Sequence, residues 1–198
     1  MDMAGAEIKE YNKETAPHID YEWGTGLILC NGFTHLDWIE NQEIFNIHDA
    51  ISDTLTASIL YTSKFVRATL KKRYRKHIVY VGSMAHNRVL NASSPYCAAK
   101  AGLAHFARCM AWELTPKGYV IATTHPGNIE GTPMTEKTIQ GIMAYRGLGR
   151  KEAERYWSSA LNADRFLNAR DVAECISRCL QMEPQSSGAQ IELGGGCR

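Results

Sequence analysis

Residues 77–102 constrain the fold more than any other stretch of the chain. The segment opens with the apolar run Ile78-Val79-Tyr80-Val81 and reaches Ser83, a pattern typical of a short buried strand. After a polar loop, Ser93 is a candidate N-cap, and Pro95 is a residue favoured in the first turn of a helix. A buried strand followed by a helix predicts a parallel sheet covered by helices.

Three side chains of this segment form a candidate proton-transfer site. Tyr96 and Lys100 are four residues apart, so a helix places them on one face. An ammonium beside a phenol favours the phenolate and lowers a tyrosine pKa from its usual value of about 10. Ser83, at the end of the strand, could hydrogen-bond the oxygen that Tyr96 protonates or deprotonates. A lone Tyr-x-x-x-Lys pair also occurs on ordinary helices, so a structural role stays open.

The chain resembles the short-chain dehydrogenase/reductase superfamily in the order and spacing of four features. They are Ser83, Tyr96, Lys100 and the Pro126-Gly127 pair that ends the next apolar segment. The resemblance extends from about Leu27 to the C-terminus. It implies an α/β fold: a partial Rossmann-like, doubly wound arrangement with a parallel sheet flanked by helices. It also implies an NAD(P)-dependent oxidoreductase of a carbonyl or alcohol, with the serine, tyrosine and lysine as catalytic residues.

The same resemblance implies positions for a cofactor. The cofactor-binding residues would be Asn31, Gly32, Lys100, Pro126, Gly127 and Ile129. Lys100 would hold the nicotinamide ribose, the Pro-Gly segment would line the nicotinamide, and Asn31-Gly32 would form the adjoining wall. The hydroxyl that contacts the nicotinamide amide would be Thr132. Thr54 or Thr56 stands where the family has an asparagine of its proton relay.

The first part of the family's dinucleotide-binding half is missing from the pattern. A βαβ unit takes about 30 residues, and the residues before Leu27 contain no glycine-rich phosphate-binding turn. We therefore expect an N-terminally shortened fold without the first βαβ units and with weak or absent NAD(P) binding. The expected division is a divergent segment 1–26 and one domain 27–198. The Leu27 strand should be an exposed edge, which we expect segment 1–26 to cover.

The remaining elements follow from apolar periodicity. Helices are predicted over 44–70, 95–114 and 171–182, and strands over 118–122 and, at the end, within 187–196. Region 132–165 is polar and helix-rich, and it is interrupted by Gly141, Gly147 and Gly149. By resemblance, helices 44–70 and 95–114 would build a homodimer or homotetramer. The other expected partner is a small-molecule substrate.

Composition argues against several other partners. A formal net charge of +1 disfavours nucleic acid and anionic membranes as partners, and the basic run 71–76 is expected to be a solvated helix end. No apolar stretch has the length of a membrane span, and no signal peptide precedes the domain, so we expect a cytoplasmic protein. The six cysteines lack a C-x-x-C pair, which predicts reduced thiols and no metal site.

Three functions remain open at this point. The first is an oxidoreductase with a Ser-Tyr-Lys site and degenerate NAD(P) binding. The second is a non-catalytic relative retained for binding or assembly, and the third is cofactor-free acid–base chemistry. The substrate and the preference between NAD and NADP stay undecided, because the residue that would select the cofactor belongs to the missing part.

Overall fold

A computed structural model describes residues 24–160 and 166–194. Four parallel strands form one sheet in the order β1-β2-β3-β4. The strands are β1 (Gly26–Leu29), β2 (Lys76–Val81), β3 (Tyr119–Pro126) and β4 (Ala189–Leu193). The parallel sheet confirms the predicted α/β fold, and its order brings the carboxyl ends of β1, β2 and β3 side by side.

Helices lie in each region where they were predicted, although the helix predicted over 44–70 is interrupted and other ends are shifted. They are α1 (Ile44–Ile51), α2 (Ala57–Thr69), α3 (Ser94–Leu114), α4 (Pro133–Arg146), α5 (Arg150–Ala160) and α6 (Ala169–Cys179). α6 begins earlier than predicted because Asn168 and Asp171 form a capping box. Gly141 does not interrupt α4, whereas Gly147 ends it in the left-handed conformation (φ 65°).

Both faces of the sheet are covered, as a doubly wound fold requires. On one face, Phe65 of α2 and Leu103 of α3 pack against Tyr80 and the neighbouring strand residues. On the other face, Cys175 and Cys179 of α6 pack against the central strands. The cysteines are therefore apolar core residues, and every cysteine among the described residues is a free thiol, as expected.

The predicted helix 44–70 contains an irregularity that the periodicity did not indicate. A π-helical turn over Ser52–Thr56 joins α1 to α2. The amide of Ala57 bonds to the carbonyl of Ser52, so the Asp53 carbonyl is left for another donor. The Asn31 side chain donates to that carbonyl. The π turn therefore ties the middle of this helix to the loop that follows β1.

One local prediction is wrong, and another holds for residues 71–75 but not for Lys76. Ser93 occupies the N-cap position of α3, but its hydroxyl donates to the Asn91 carbonyl (3.3 Å) and caps no helical amide. The basic run 71–76 is not simply a solvated helix end, because Lys76 is 1% exposed. Its ammonium donates to the Lys72 carbonyl (2.8 Å) at the end of α2 and lies 4.6 Å from the centroid of the Tyr119 ring. Lys76 thus belongs to the fold.

β1 lies at an edge of the sheet. Within residues 24–160 and 166–194 it pairs only with β2, and Ile28 of this strand is 40% exposed. The expected exposed edge is therefore present in the described part of the chain. The expected cover and the proposed boundary of segment 1–26 fall almost wholly outside the described residues. None of the described helices is both long and apolar enough to cross a membrane.

Candidate active site

A cavity of about 300 Å³ opens at the carboxyl ends of β1, β2 and β3. All the residues predicted for the site line it: Asn31 and Gly32 after β1, Ser83 after β2, Tyr96 and Lys100 on α3, and Pro126, Gly127 and Ile129 after β3. The aromatic side chains Tyr145, Tyr156 and Trp157 of α4 and α5 complete the wall. One cavity thus brings together residues from six separate elements.

Ser83 is held at the end of β2 with its hydroxyl in a defined environment. The residue is the N-cap of a short 3₁₀ turn, Met84–His86, and its Oγ accepts the Ala85 amide at 3.1 Å. Because this amide occupies an acceptor site, the hydroxyl proton remains available for a second partner.

Tyr96 behaves differently from the sequence-based expectation. Burial raises the pKa of its phenol, and the neighbouring Ser83 hydroxyl opposes that rise. The Lys100 ammonium lies 5.8 Å from the centroid of the Tyr96 ring and is not a leading cause of the shift. The expected lowering of the pKa by Lys100 is therefore wrong, since desolvation of the phenolate outweighs it. Tyr96 is a neutral phenol at neutral pH.

Lys100 is a buried cation, 4% exposed, beneath the floor of the cavity. Its ammonium donates to the Val81 carbonyl at 3.0 Å and approaches the Asn31 carbonyl at 3.5 Å. Burial lowers the pKa of Lys100 to about 8, and the nearby Cys30 thiol acts in the opposite direction. The lysine therefore links the ends of β1 and β2 from α3 and stays charged at neutral pH.

Gly32 leaves room for the groups that meet behind this lysine. A Cβ at position 32 would lie 3.3 Å from the Lys100 ammonium and 3.5 Å from the Thr54 hydroxyl. Thr54 is fully buried, and its hydroxyl accepts the Phe33 amide at 3.4 Å. Thr56, by contrast, is exposed. Of the two threonines that the sequence left open, Thr54 is the one beside the site.

The β3 side of the cavity carries two polar side chains with opposite environments. Thr132 caps α4, its hydroxyl accepting the Thr135 amide at 3.1 Å, so this hydroxyl already has a structural use. Asn128 is 2% exposed, and neither its Nδ2 nor its Oδ1 has a hydrogen-bond partner in the described structure. An unpaired buried carboxamide is costly, which marks Asn128 as a group suited to a ligand in the adjoining cavity.

Comparison with known proteins identifies the family of this chain. The sequence profile of the short chain dehydrogenase family matches residues 9–142. The chain belongs to that family. Over 191 residues it is 34% identical to the 3-oxoacyl-acyl-carrier-protein reductase FabG of Haemophilus influenzae, covering 95% of this chain and 74% of the relative. The reductase of the same name from Escherichia coli K12 is 30% identical over 135 residues, 65% of this chain and 54% of that protein.

Solved short-chain dehydrogenase structures show the same fold. Sorbitol-6-phosphate 2-dehydrogenase from Erwinia amylovora aligns with a TM-score of 0.78 at 18% identity, covering 86% of this chain and 67% of that one. A variant of actinorhodin polyketide ketoreductase solved with NADPH aligns with a TM-score of 0.77 at 20% identity, covering 86% and 66%. This chain therefore spans about half to three quarters of the length of the named relatives.

Sequence reasoning missed several residues of this short-chain dehydrogenase site. The apolar periodicity did not indicate the π turn that contains Thr54. Whether Asn128 is paired depends on which groups surround it in the fold. A pair of stacked imidazoles, His86 and His125, lies behind Ser83 with ring centroids 3.7 Å apart. Dispersed histidines gave no signal, because only the fold brings them together. No metal-binding group of side chains occurs among the described residues.

Proposed function

We propose that this short-chain dehydrogenase is an oxidoreductase that interconverts a carbonyl and an alcohol at Ser83, Tyr96 and Lys100. The observation that carries the proposal is that Ser83, Tyr96 and the buried Lys100 line one cavity. These residues supply a hydroxyl that orients an oxygen, a phenol that transfers a proton, and a cation. Together they match the requirements of general acid–base catalysis at a carbonyl.

The protonation states favour the reductive direction at neutral pH. Ser83 donates its hydroxyl proton to the substrate carbonyl oxygen, which can only accept, while the Ser83 oxygen accepts the Ala85 amide. Tyr96 is protonated, since burial raises its pKa, and gives its proton to the same oxygen as negative charge develops there. The Lys100 ammonium then favours the phenolate that remains. The apolar and aromatic wall keeps bulk water from the reacting groups.

The lining residues fit the nicotinamide half of a dinucleotide cofactor, which would supply the hydride. Asn128 offers an unpaired donor and acceptor in the cleft that Asn31, Gly32, Lys100, Pro126, Gly127 and Ile129 also line. The sequence has no glycine-rich turn before β1 for the phosphates. We therefore propose NAD or NADP as the cofactor class, with weak affinity, and leave the choice between them to measurement.

Calorimetric titration with NADH and NADPH tests this proposal first. We expect binding of at least one cofactor, followed by its oxidation in the presence of 3-oxoacyl thioesters. This substrate class is tried first because the named bacterial relatives are 3-oxoacyl-acyl-carrier-protein reductases. A chain that binds neither cofactor at millimolar concentration contradicts the proposal.

A non-catalytic binding or assembly role is the second candidate, and the exposed edge strand favours it. β1 has no partner on its outer side within the described residues, and this side of the cleft would face the adenine half of a dinucleotide. A chain with this role would fold and associate without binding NADH or NADPH. The titration therefore separates the two candidates.

We further propose that the protein forms a homo-oligomer through α1, α2 and α3. Each of these helices exposes a large apolar side chain: Ile44 (81%), Leu60 (54%) and Trp112 (87%). Burial of such side chains against a second copy would stabilise association. Sedimentation should give a dimer or tetramer, and Trp112→Glu should lower the association constant. A parent chain that is monomeric at micromolar concentration contradicts this proposal.

A further inference from the structure

His125, the residue before the Pro-Gly pair, lies directly against the backbone that leads to Ser83. Its side chain has no exposed surface. A Cβ at Gly82 would lie 2.5 Å from His125 Nδ1 and 2.8 Å from Cε1, distances that side chains do not tolerate. Glycine at position 82 is therefore required for this imidazole to pack on the strand end.

His86 and His125 share one hydrogen-bond acceptor. The Nδ1 atoms of His86 and His125 lie 2.9 Å and 3.2 Å from the Ser83 carbonyl oxygen. The two rings are stacked, with an interplanar angle of 23°. A carbonyl only accepts hydrogen bonds, so both rings must carry a proton on Nδ1. The His86 backbone amide donates to the same oxygen at 3.0 Å, so donors surround this carbonyl.

The far side of His125 is also held. Its Nε2 lies 2.7 Å from Oε1 of the Gln190 side chain on β4, and Gln190 Nε2 donates to the Thr123 hydroxyl at 3.1 Å. Burial disfavours a charged ring, so the neutral His125 that donates from Nδ1 must accept at Nε2. This tautomer requires the Gln190 carboxamide to be turned by 180°, so that its NH₂ group faces the ring and its oxygen accepts the Thr123 hydroxyl. A continuous polar chain thus runs from β4 to the Ser83 carbonyl.

We propose that His86 and His125 are positioning residues that hold Ser83 through its main-chain carbonyl. Ser83 is extended (φ −168°, ψ 153°) between β2 and the 3₁₀ turn. Among the described residues, the His86 amide of that turn is the only backbone donor to its carbonyl. Holding the carbonyl from two rings sets the direction of the Ser83 Cα–Cβ bond. This fixes the hydroxyl against Tyr96 and the Ala85 amide.

This inference rests on the proposed function for its catalytic meaning, but its geometry is measurable without substrate. Long-range ¹H–¹⁵N spectra report the tautomer of each of the seven histidines. We expect two of them to be neutral Nδ1–H tautomers, assigned to His86 and His125 by substitution. A ring in the Nε2–H tautomer at either position overturns the inference.

Two substitutions at His86, a half-buried position, separate the hydrogen bond from ring packing. His86→Phe keeps a stacked ring and loses the donor, whereas His86→Asn places an amide nitrogen close to the position of Nδ1. We expect His86→Phe to lower kcat about five- to tenfold with KM and cofactor affinity unchanged, and His86→Asn to restore most of kcat. His105→Phe, on the exposed side of α3, is the matched control and should leave kcat at the parent value.

Hydrogen exchange at the Ala85 amide gives the second substrate-free measurement, because this amide bonds to the Ser83 hydroxyl. Exchange should accelerate in His86→Phe and return towards the parent rate in His86→Asn. Parent-like exchange and kcat in His86→Phe overturn the inference. If the parent chain turns over no substrate, the proposed function fails, and the tautomers and the Ala85 exchange alone decide whether these histidines position Ser83.

Discussion

The two sides of the cleft are built in different ways. On the α3 side, Tyr96 and Lys100 stand on a long helix packed over the centre of the sheet, and Lys100 is 4% exposed. On the β1 side, the wall follows an edge strand in which Ile28 is 40% exposed. The proposed chemistry is thus on the doubly covered part of the fold, while the adjoining wall follows a strand that has a neighbour on one side only within the described residues.

The difference suggests how this short-chain dehydrogenase divides its tasks. Residues that transfer a proton need fixed geometry, and the central strands with α3 provide it. Residues that would hold the far half of a dinucleotide need a phosphate-binding turn next to β1, and the described residues contain none. Four predictions test this contrast, ordered from the largest expected effect to the smallest.

Tyr96→Phe tests the chemistry on the α3 side. Loss of the phenol removes the proposed acid, so turnover should fall about 10²–10⁴-fold while the circular dichroism spectrum and cofactor affinity remain those of the parent. Tyr74→Phe, at an exposed position where the hydroxyl donates to Gly24, should retain full turnover. Steady-state kinetics check both variants, and undiminished turnover in Tyr96→Phe would show that the acid is another group.

Lys100→Met tests the buried charge. Folded Lys100 keeps its proton only below about pH 8, because burial lowers its pKa from the ordinary value of 10.5. Between these pH values the unfolded chain binds more protons, so this lysine makes the free energy of unfolding rise with pH. Lys100→Met removes that contribution, on the order of 3 kcal/mol across the window. The variant should therefore gain stability relative to the parent most clearly near pH 7.

Urea unfolding from neutral pH to about pH 10 measures the effect of Lys100→Met. Lys151→Met, an exposed lysine on α5, serves as the control and should follow the parent at every pH. A stability difference that does not change with pH would mean that Lys100 has an ordinary pKa in the folded state.

Asn128→Leu and Asn31→Leu compare an unpaired with a paired carboxamide. Asn128 has no partner in the described structure, so its replacement by an apolar side chain of similar size should raise the free energy of unfolding by about 1–3 kcal/mol and weaken nicotinamide cofactor binding. Asn31 donates to the Asp53 carbonyl and to the Ser58 hydroxyl, so Asn31→Leu should lower stability by a similar amount. Urea unfolding measures the stability of both variants, and calorimetry measures their cofactor binding. A loss of stability in Asn128→Leu would show that the Asn128 side chain has a hydrogen-bond partner in the folded protein.

Ile28→Ala and Val79→Ala test the edge itself. The two residues are register partners on the same face of β1 and β2, but Val79 is 1% exposed. Val79→Ala should cost about 2 kcal/mol, and Ile28→Ala about 1 kcal/mol or less, although it removes more atoms. Urea unfolding measures both losses of stability. An equal or larger loss for Ile28→Ala would contradict the contrast between the two sides, because it would mean that the edge strand is covered in solution.

Much of the fold followed from local pattern. The β2 strand and the α3 helix appeared where apolar runs, a proline and alanine-rich sequence indicated them. α3 begins one residue before its predicted start, and β2 begins two residues before its apolar run. The long helix 44–70 was also predicted, but its π turn was not, since the turn is stabilised by a distant donor, Asn31. Lys76 was read as solvated because its neighbours in sequence are basic, whereas its environment is set by α2 and Tyr119.

The sequence by itself determined which chemical groups are present and in what order, because strand and helix patterns and the spacing of Ser83, Tyr96 and Lys100 are local properties. Only the tertiary structure decided their states. Burial, which depends on residues far apart in the chain, raises the pKa of Tyr96 above its usual value. The same packing leaves Asn128 unpaired and stacks His86 on His125, since hydrogen-bond satisfaction and close contact exist only between elements that the fold has brought together.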